Sequence, residues 1–195
     1  MKEILLASKS PRRAELLARM GYTFDIIDSC VDESLITAQL CKAAPPAPAE
    51  LVRALAIAKA ERAAALSGSS NRIVIAADTV VDHNGHILGK PRDSADAKNM
   101  LLELSGTKHF IYTGLCVRDG AKIICAETIS AAVWFRRLDE DEIDAYIATG
   151  EPMDKAGAYG IQERGAVFAE RIDGDFYAVV GLPVCKLSVI LRGLE

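Results

Sequence analysis

The stretch Ile73–Val81 (IVIAADTVV) constrains the fold more than any other part of the sequence. It is nearly all apolar, which is typical of a strand covered on both faces, as in α/β proteins. Asp78 interrupts this run near its carboxyl end, where α/β sheets bind their ligands. Because a buried carboxylate is costly unless it is paired or bound to a metal, the pattern favours a functional role for Asp78.

The second constraint is Ile4–Gly21 (ILLASKSPRRAELLARMG), which predicts a buried strand, a short polar loop and a helix. Ser10 is a suitable N-cap, and Pro11 suits the first helical position. Arg12 and Arg13 are unusual in a first turn, because the helix dipole favours anions there. With free backbone N–H groups and hydroxyls, they favour a polyphosphate or carboxylate site over the alternative of two solvated arginines.

Three further charged residues are ambiguous. Lys59 projects from the apolar face of the predicted helix Ala49–Leu66. Its ammonium either reaches water or meets an anion in a polar cleft, and the neighbouring residues alone favour the first alternative. Lys90 lies in a Gly-Lys-Pro turn, either on the surface or beside Asp78. Glu33 ends an acidic loop that is either plain surface, the favoured interpretation, or a source of a metal-binding carboxylate.

Turn signals divide much of the remaining chain into strands and helices. Dipeptides typical of tight hairpin turns occur at Asn84-Gly85, Asp119-Gly120 and Asp173-Gly174. The apolar run Phe176–Val180, after the third, predicts a strand. The proline- and alanine-rich stretch Lys42–Glu50 predicts a stiff, extended connection.

The stretch Asp154–Gln162 (DKAGAYGIQ) is also unusual. Its glycines, with Lys155 and Gln162, favour a loop whose backbone approaches a ligand closely. It is neither a Walker P-loop nor a dinucleotide-binding fingerprint. From its chemistry alone it is therefore only a candidate binding loop.

Composition excludes several classes of protein. The net charge of −4 argues against a non-specific nucleic-acid binder. No apolar run is long enough for a membrane span, and the first one stops at Ala7, too early for a signal peptide. The five cysteines are odd in number and lack Cys-x-x-Cys spacing. We therefore expect a cytoplasmic protein without a zinc site or disulfide framework, folded as one domain or as two small lobes.

Several separate blocks together resemble the Maf family of nucleoside triphosphate pyrophosphatases along essentially the whole chain. They are Leu6–Arg13 (LASKSPRR), Glu33, Lys59 within AKA, Ala77–Val81 (ADTVV), Gly89–Pro91 (GKP), Leu104–Gly106 (LSG), Asp154–Gln162 and Val180–Pro183 (VGLP). Lys9 and Glu163 depart from the pattern, since small residues are common there in relatives. In particular, Glu163 adds an acid next to Gln162, which would alter base or metal contacts.

The resemblance implies an elongated α/β, mixed-sheet fold with two lobes around a central cleft, similar to inosine triphosphate pyrophosphatases, as a single domain over residues 1–195. It also implies a divalent cation, Mg²⁺ or Mn²⁺, and a homodimer. The implied reaction is hydrolysis of a nucleoside triphosphate to the monophosphate and pyrophosphate. The pair Asp78-Thr79 resembles the branch that acts on dTTP and UTP, with modified pyrimidine nucleotides and a house-cleaning role as extensions of that activity.

The resemblance also implies roles for individual residues. Asp78 matches the proton acceptor, and the positions tied to substrate choice are Arg12, Thr79 and Gln162. The residues expected to neutralise the triphosphate are Ser8, Arg12, Arg13, Lys59 and Lys90, while Glu33 and Asp78 would hold the metal. Three alternatives stay open: the same reaction on 7-methyl-GTP or another modified nucleotide, a phosphatase that releases inorganic phosphate, and a non-enzymatic division regulator that binds nucleotide or nucleic acid.

Overall fold

The computed structural model describes residues 2–41, 45–68 and 71–194. The chain forms two compact units. The first contains Met1–Asp78, Thr113–Ile129 and Gly181–Glu195, and the second contains Thr79–Tyr112 and Ser130–Val180. A single domain over residues 1–195 stays a prediction.

Strands and helices alternate along much of the chain. The strands are β1 (Glu3–Leu6), β2 (Phe24–Ile26), β3 (Arg72–His83), β4 (His86–Leu88), β5 (Lys108–Asp119), β6 (Lys122–Phe135) and β7 (Ala169–Gly174). The α-helices are α1 (Pro11–Arg19), α2 (Glu33–Leu40), α3 (Pro48–Ser67), α4 (Ser94–Leu104), α5 (Glu140–Ile147), α6 (Phe176–Val180) and α7 (Val184–Arg192). Short 3₁₀ helices span Glu151–Asp154, Ala156–Ala158 and Arg164–Phe168.

The strand order is β2-β1-β3-β5-β6-β7, and β4 pairs with β3 outside this path. Strand β1 runs parallel to both β2 and β3. The pairs β3–β4 and β6–β7 are antiparallel. The sheet is therefore mixed, and the expected α/β class is confirmed.

In the first unit, both faces of β1 and of the apolar part of β3 are buried, as the continuous hydrophobic runs predict. On one face, Ala56, Ala60 and Ala63 of α3 pack against Val74 and Ala76 of β3. Small alanine side chains let the helix approach the strand closely. This contact decides which residues of α3 face β3.

Strand β3 is longer than its sequence indicates, which corrects the placement of Asp78. Asp78 does not lie near the end of a strand, because β3 continues for five residues to His83. The parallel pairing with β1 nevertheless stops at Leu6 opposite Ile75. Asp78 lies three residues beyond this last pair, past the carboxyl end of the parallel ladder, where α/β sheets place their ligands.

In the second unit, helices α4 and α5 contribute to one core with β3, β5 and β6. The Asn84-Gly85 hairpin is confirmed, since both residues have positive φ and β3 pairs antiparallel with β4. His109 lies in the core, where Nε2 meets the Tyr159 hydroxyl at 2.8 Å. Burial lowers the pKa of His109 to about 3, so its imidazole is neutral at pH 7.

Three predictions of local structure were wrong or imprecise. The stretch Phe176–Val180 is helix α6 and not a strand, because Asp175 Oδ1 accepts hydrogen bonds from the first backbone N–H groups of the helix. Consequently Asp173-Gly174 does not turn a hairpin, and β7 leads into α6. The second hairpin turns one residue later than predicted, at residues 120–121.

Three further features concern the start of α3, the cysteines and the hydrophobicity of the helices. Helix α3 begins at Pro48, so the extended connection predicted for Lys42–Glu50 is shorter, and residues 42–44 lie outside the described part of the structure. All five cysteines are free thiols. Among the described residues, none of the helices combines the length and hydrophobicity needed to cross a bilayer.

Candidate functional site

Lys59 is the centre of a charged cluster in the first unit. Its ammonium lies 2.5 Å from Asp78 Oδ1 and 2.6 Å from Glu33 Oε1. The Lys59 side chain is 13% exposed and Asp78 is 7% exposed, whereas the Glu33 side chain is 56% exposed. One ammonium therefore links a buried carboxylate on β3 to an exposed carboxylate in the first turn of α2.

Packing explains why Lys59 meets Asp78. Side chains alternate between the two faces of a strand, so Asp78 points to the same face of β3 as Val74 and Ala76. Helix α3 covers that face with its alanines, and Lys59 extends from the same region of the helix. The Lys59 ammonium thus contacts carboxylates of the protein instead of reaching open water, and its binding of a ligand anion stays a prediction.

Ser8 and Arg13 form the second part of this region. The Arg13 guanidinium donates from Nε to the Gly181 carbonyl at 2.8 Å and from Nη1 to Ser8 Oγ at 3.3 Å. Ser8 Oγ also accepts from the Ser10 backbone N–H at 3.1 Å. Ser8 is buried just after β1, while Arg12 and Arg13 are half-buried in the first turn of α1. The two arginines are therefore not simply solvated surface residues.

The start of α1 has the features expected of an anion site. Pro11 occupies its first turn and no acidic residue does. Ser10 is the N-cap residue, but its side chain makes no capping hydrogen bond. Backbone N–H groups at the start of a helix attract anions, and here the guanidinium groups lie beside them.

Burial controls the electrostatics of the cluster. Burial raises the pKa of Asp78, while the positive charges of Lys59 and Arg13 oppose that shift. Burial also lowers the pKa of Arg13, which the negative charges of Asp78 and Glu33 counteract. A carboxylate with a raised pKa is a stronger base than an ordinary aspartate.

The remaining candidate residues belong to the second unit. Thr79 follows Asp78 on β3 and is half-buried, and Lys90 is exposed in the loop after β4. Gln162 is half-buried in the loop between the second and third 3₁₀ helices. The Lys90 loop contacts the loop that leads to Gln162, because the Gly157 backbone N–H donates to the Gly89 carbonyl at 3.0 Å.

The loop Asp154–Gln162 uses its glycines for internal packing. A Cβ on Gly160 would lie 2.6 Å from Lys155 Cε, and a Cβ on Gly157 would lie 2.8 Å from Val81 Cγ2. Lys155 is 6% exposed, and its ammonium donates to the Glu151 carbonyl and to Asp154 Oδ1, both at 2.8 Å. The close approaches of this backbone are therefore to the protein itself.

The family model described as Maf-like protein matches residues 3–194, nearly the entire chain. The chain belongs to the Maf family. A dTTP/UTP pyrophosphatase from Bacillus cytotoxicus is 46% identical over 196 residues, covering 100% of this chain and 97% of the relative. Proteins of the same name from Pelotomaculum thermopropionicum and Alkaliphilus metalliredigens are also 46% identical, each covering 98% of this chain and 96% of the relative.

A solved structure shows the same fold at much lower sequence identity. A HAM1 protein from Coxiella burnetii superposes with a TM-score of 0.52 and 16% identity, covering 99% of this Maf family chain and 100% of that chain. At this identity the likeness shows the fold alone. It agrees with the α/β, mixed-sheet architecture.

The motifs of this Maf family chain contain the charged residues of the site but do not indicate which groups bind them. The Gly181 carbonyl, which accepts from Arg13, lies far along the chain in a block recognised only by resemblance. No sequence motif singled out Tyr146 or Glu151, which hydrogen-bond with each other and with the segment that carries Gln162. Backbone acceptors and long-range hydrogen bonds have no sequence period, so pattern analysis does not find them.

Proposed function

We propose that this protein hydrolyses dTTP and UTP to the nucleoside monophosphate and pyrophosphate. One observation carries the proposal: a buried aspartate, Asp78, is linked by the Lys59 ammonium to Glu33 in the same unit as two first-turn arginines. The full-length relatives named dTTP/UTP pyrophosphatase supply the substrate class. Polyphosphate hydrolysis needs positive charge for the leaving group and a base for the water, and both are present.

Cationic and hydroxyl groups would bind the triphosphate. In the first unit these are Ser8, Arg12, Arg13 and Lys59, beside the start of α1. Guanidinium groups suit phosphate oxygens because they donate two parallel hydrogen bonds. Lys90 of the second unit is assigned by its motif, and its exposure is compatible with binding a phosphate.

Asp78 would act as the proton acceptor. A water oxygen forms a bond to the α-phosphorus, the bond from that phosphorus to the oxygen bridging to the β-phosphorus breaks, and pyrophosphate leaves. Asp78 takes the proton of the attacking water. The raised pKa of Asp78 favours this role, because proton transfer is most efficient when the pKa of the base lies near the working pH.

Glu33 and Asp78 would hold a divalent cation, Mg²⁺ or Mn²⁺, together with substrate phosphates. The described residues contain no group of three or more His, Cys, Asp or Glu side chains at metal-binding spacing. Two carboxylates nevertheless fit Mg²⁺, which is commonly bound by one or two carboxylates plus phosphate oxygens. That Lys59 lies within 2.6 Å of both carboxylates supports a cation position there. When bound, the metal would polarise the phosphates and acidify the attacking water.

Arg12, Thr79 and Gln162 would set the base preference. Their assignment rests on the motif match, with Asp78-Thr79 as the pair that resembles the pyrimidine branch. Modified pyrimidine nucleotides would fit the same preference, in a house-cleaning role.

The proposed compartment is the cytoplasm, which holds the nucleotide pools. The proposed assembly is a homodimer, which light scattering would test.

Product analysis tests the proposal. The purified protein is incubated with dTTP, UTP, CTP, GTP and 7-methyl-GTP, with Mg²⁺ or Mn²⁺ and with a chelator, and both products are identified. We expect metal-dependent dTMP or UMP plus pyrophosphate. Monophosphate from 7-methyl-GTP alone would overturn the pyrimidine assignment, and release of inorganic phosphate would identify a phosphatase. Metal-dependent binding without hydrolysis would favour a non-enzymatic nucleotide-binding protein.

A further inference from the structure

Gln162 lies in the segment from Glu151 to Gly165, which we call the Gln162 loop. The Glu151 carboxylate at the start of this loop binds backbone groups at its end. Glu151 Oε1 accepts from the Gly165 backbone N–H at 3.2 Å, and Oε2 accepts from the Arg164 backbone N–H at 3.1 Å. Glu151 precedes Gln162 and the two donors follow it. One side chain therefore joins the two ends of the segment that carries Gln162.

Tyr146 of α5 holds the middle of the same loop. Its hydroxyl donates to Glu151 Oε1 at 2.8 Å and accepts from the Gly160 backbone N–H at 3.1 Å. Burial, and then the hydrogen bond to Glu151, raise the pKa of Tyr146, so its hydroxyl keeps the proton that it donates. Tyr146 thereby connects the loop to a helix in the core of the second unit.

The backbone packs tightly around these groups. A Cβ on Gly165 would lie 2.8 Å from the Tyr146 hydroxyl and 2.9 Å from the Gly160 carbonyl oxygen. The Gly160 backbone likewise lies against the buried Lys155 side chain. These contacts leave no room for a side chain at either glycine, so the loop has little freedom to shift while Tyr146 and Glu151 are bonded to it.

We infer that Glu151 and Tyr146 are positioning residues that orient Gln162 and thereby set the preference among pyrimidine bases. Gln162 lies two residues after Gly160 and two before Arg164, and the backbone N–H groups of both are held by these side chains. Its backbone is therefore restrained on both sides. This inference rests on the proposed function, since it assigns Gln162 to base selection.

The test compares Glu151→Gln and Tyr146→Phe with Glu170→Gln, which removes an exposed carboxylate from β7 of the same unit. Steady-state kcat and KM are measured for UTP and CTP. In Glu151→Gln we expect the ratio of kcat/KM for UTP over CTP to fall on the order of tenfold, chiefly through KM, because small misplacements of binding groups have large effects. Tyr146→Phe shifts the ratio in the same direction by less, and Glu170→Gln leaves it unchanged.

A second measurement needs no substrate. Trypsin cleaves after Arg164 only when the loop opens, so both loop variants are expected to be cut there about fivefold faster than Glu170→Gln. If the unsubstituted protein hydrolyses no nucleotide, the proposed function fails. If it is active but the UTP to CTP ratio is the same in all variants, or kcat alone falls, the inference fails. If Glu151→Gln does not fold, Tyr146→Phe decides by the same criteria.

Discussion

Lys59 in the first unit and Lys155 in the second are both largely buried lysines whose ammonium groups face carboxylates. Lys59 contacts two carboxylates from different elements, Asp78 on β3 and Glu33 on α2. Lys155 contacts Asp154, its neighbour in sequence, and the backbone carbonyl of Glu151. Its third partner, Glu163 Oε2, is more distant, at 3.4 Å.

The partners of each lysine indicate whether a ligand could displace them from its ammonium. The Lys155 ammonium is bound by a backbone carbonyl, and Gly160 packs against its side chain, so a ligand could displace it only by breaking the loop. The two contacts of the Lys59 ammonium described above are both with carboxylate side chains, and the Glu33 side chain is mostly exposed. A phosphate could therefore compete for Lys59 without disturbing the backbone. We therefore propose that Lys59 belongs to a binding site, whereas the contacts of Lys155 indicate a structural role.

The strongest test of the Lys59 cluster is Asp78→Asn. The amide oxygen can still accept from Lys59, so the protein should fold, but the proton acceptor is lost. We expect kcat to fall by about 10²- to 10⁴-fold, the usual contribution of a general base. Pyrophosphate release measures the effect, and Asp119→Asn, which changes a carboxylate paired with Lys2 in the same unit, is the control. Near-normal turnover of Asp78→Asn would remove Asp78 from the mechanism.

Replacement of the other lysine should affect stability. Lys155→Met keeps most of the buried stem but removes the ammonium that donates to the Glu151 carbonyl and to Asp154. We expect the free energy of unfolding to fall by about 3 kcal/mol, at the low end for buried pairs because the carboxylate partner is half-exposed. Urea denaturation measures the free energy of unfolding. Lys98→Met, which removes an ammonium bonded to Asp144 and Glu140, is the control, and an equal loss in both variants would contradict a structural role for Lys155.

Lys59→Met should change the pH dependence of activity. Positive charge near Asp78 stabilises its ionised form, so losing Lys59 raises the pKa of Asp78 further. Since the base acts when ionised, the acid limb of kcat/KM should move to higher pH by about one unit or more. Lys186→Met, a lysine paired with Glu127 in the same unit, should leave the limb in place. An unshifted limb in Lys59→Met would mean that another group titrates there.

The smallest effect is expected from Glu163→Gln. The Glu163 side chain is 44% exposed, and its ion pair with Lys155 is the longest of that lysine's contacts. We expect the free energy of unfolding to change by at most about 1 kcal/mol. A loss as large as that of Lys155→Met would show that the surface carboxylate, and not the backbone carbonyl, holds the buried ammonium.

Local patterns predicted the elements whose residues have a clear period or a strong turn signal. The apolar run of β3 and the Asn84-Gly85 hairpin were identified because burial and left-handed φ restrict residue type. The stretch Phe176–Val180 was mistaken for a strand, since five apolar residues show no period and only the bonds from Asp175 establish a helix.

The sequence alone determined which charged residues are exceptional, because Asp78 lies in an apolar strand and Arg12-Arg13 oppose a helix dipole. It did not determine the partners of Lys59, of Arg13 or of the Gln162 loop. Those depend on how closely α3 packs on β3, where the chain returns at Gly181, and where the Tyr146 hydroxyl lies. Only the tertiary structure decided them, since contacts between distant residues depend on packing and leave no local pattern.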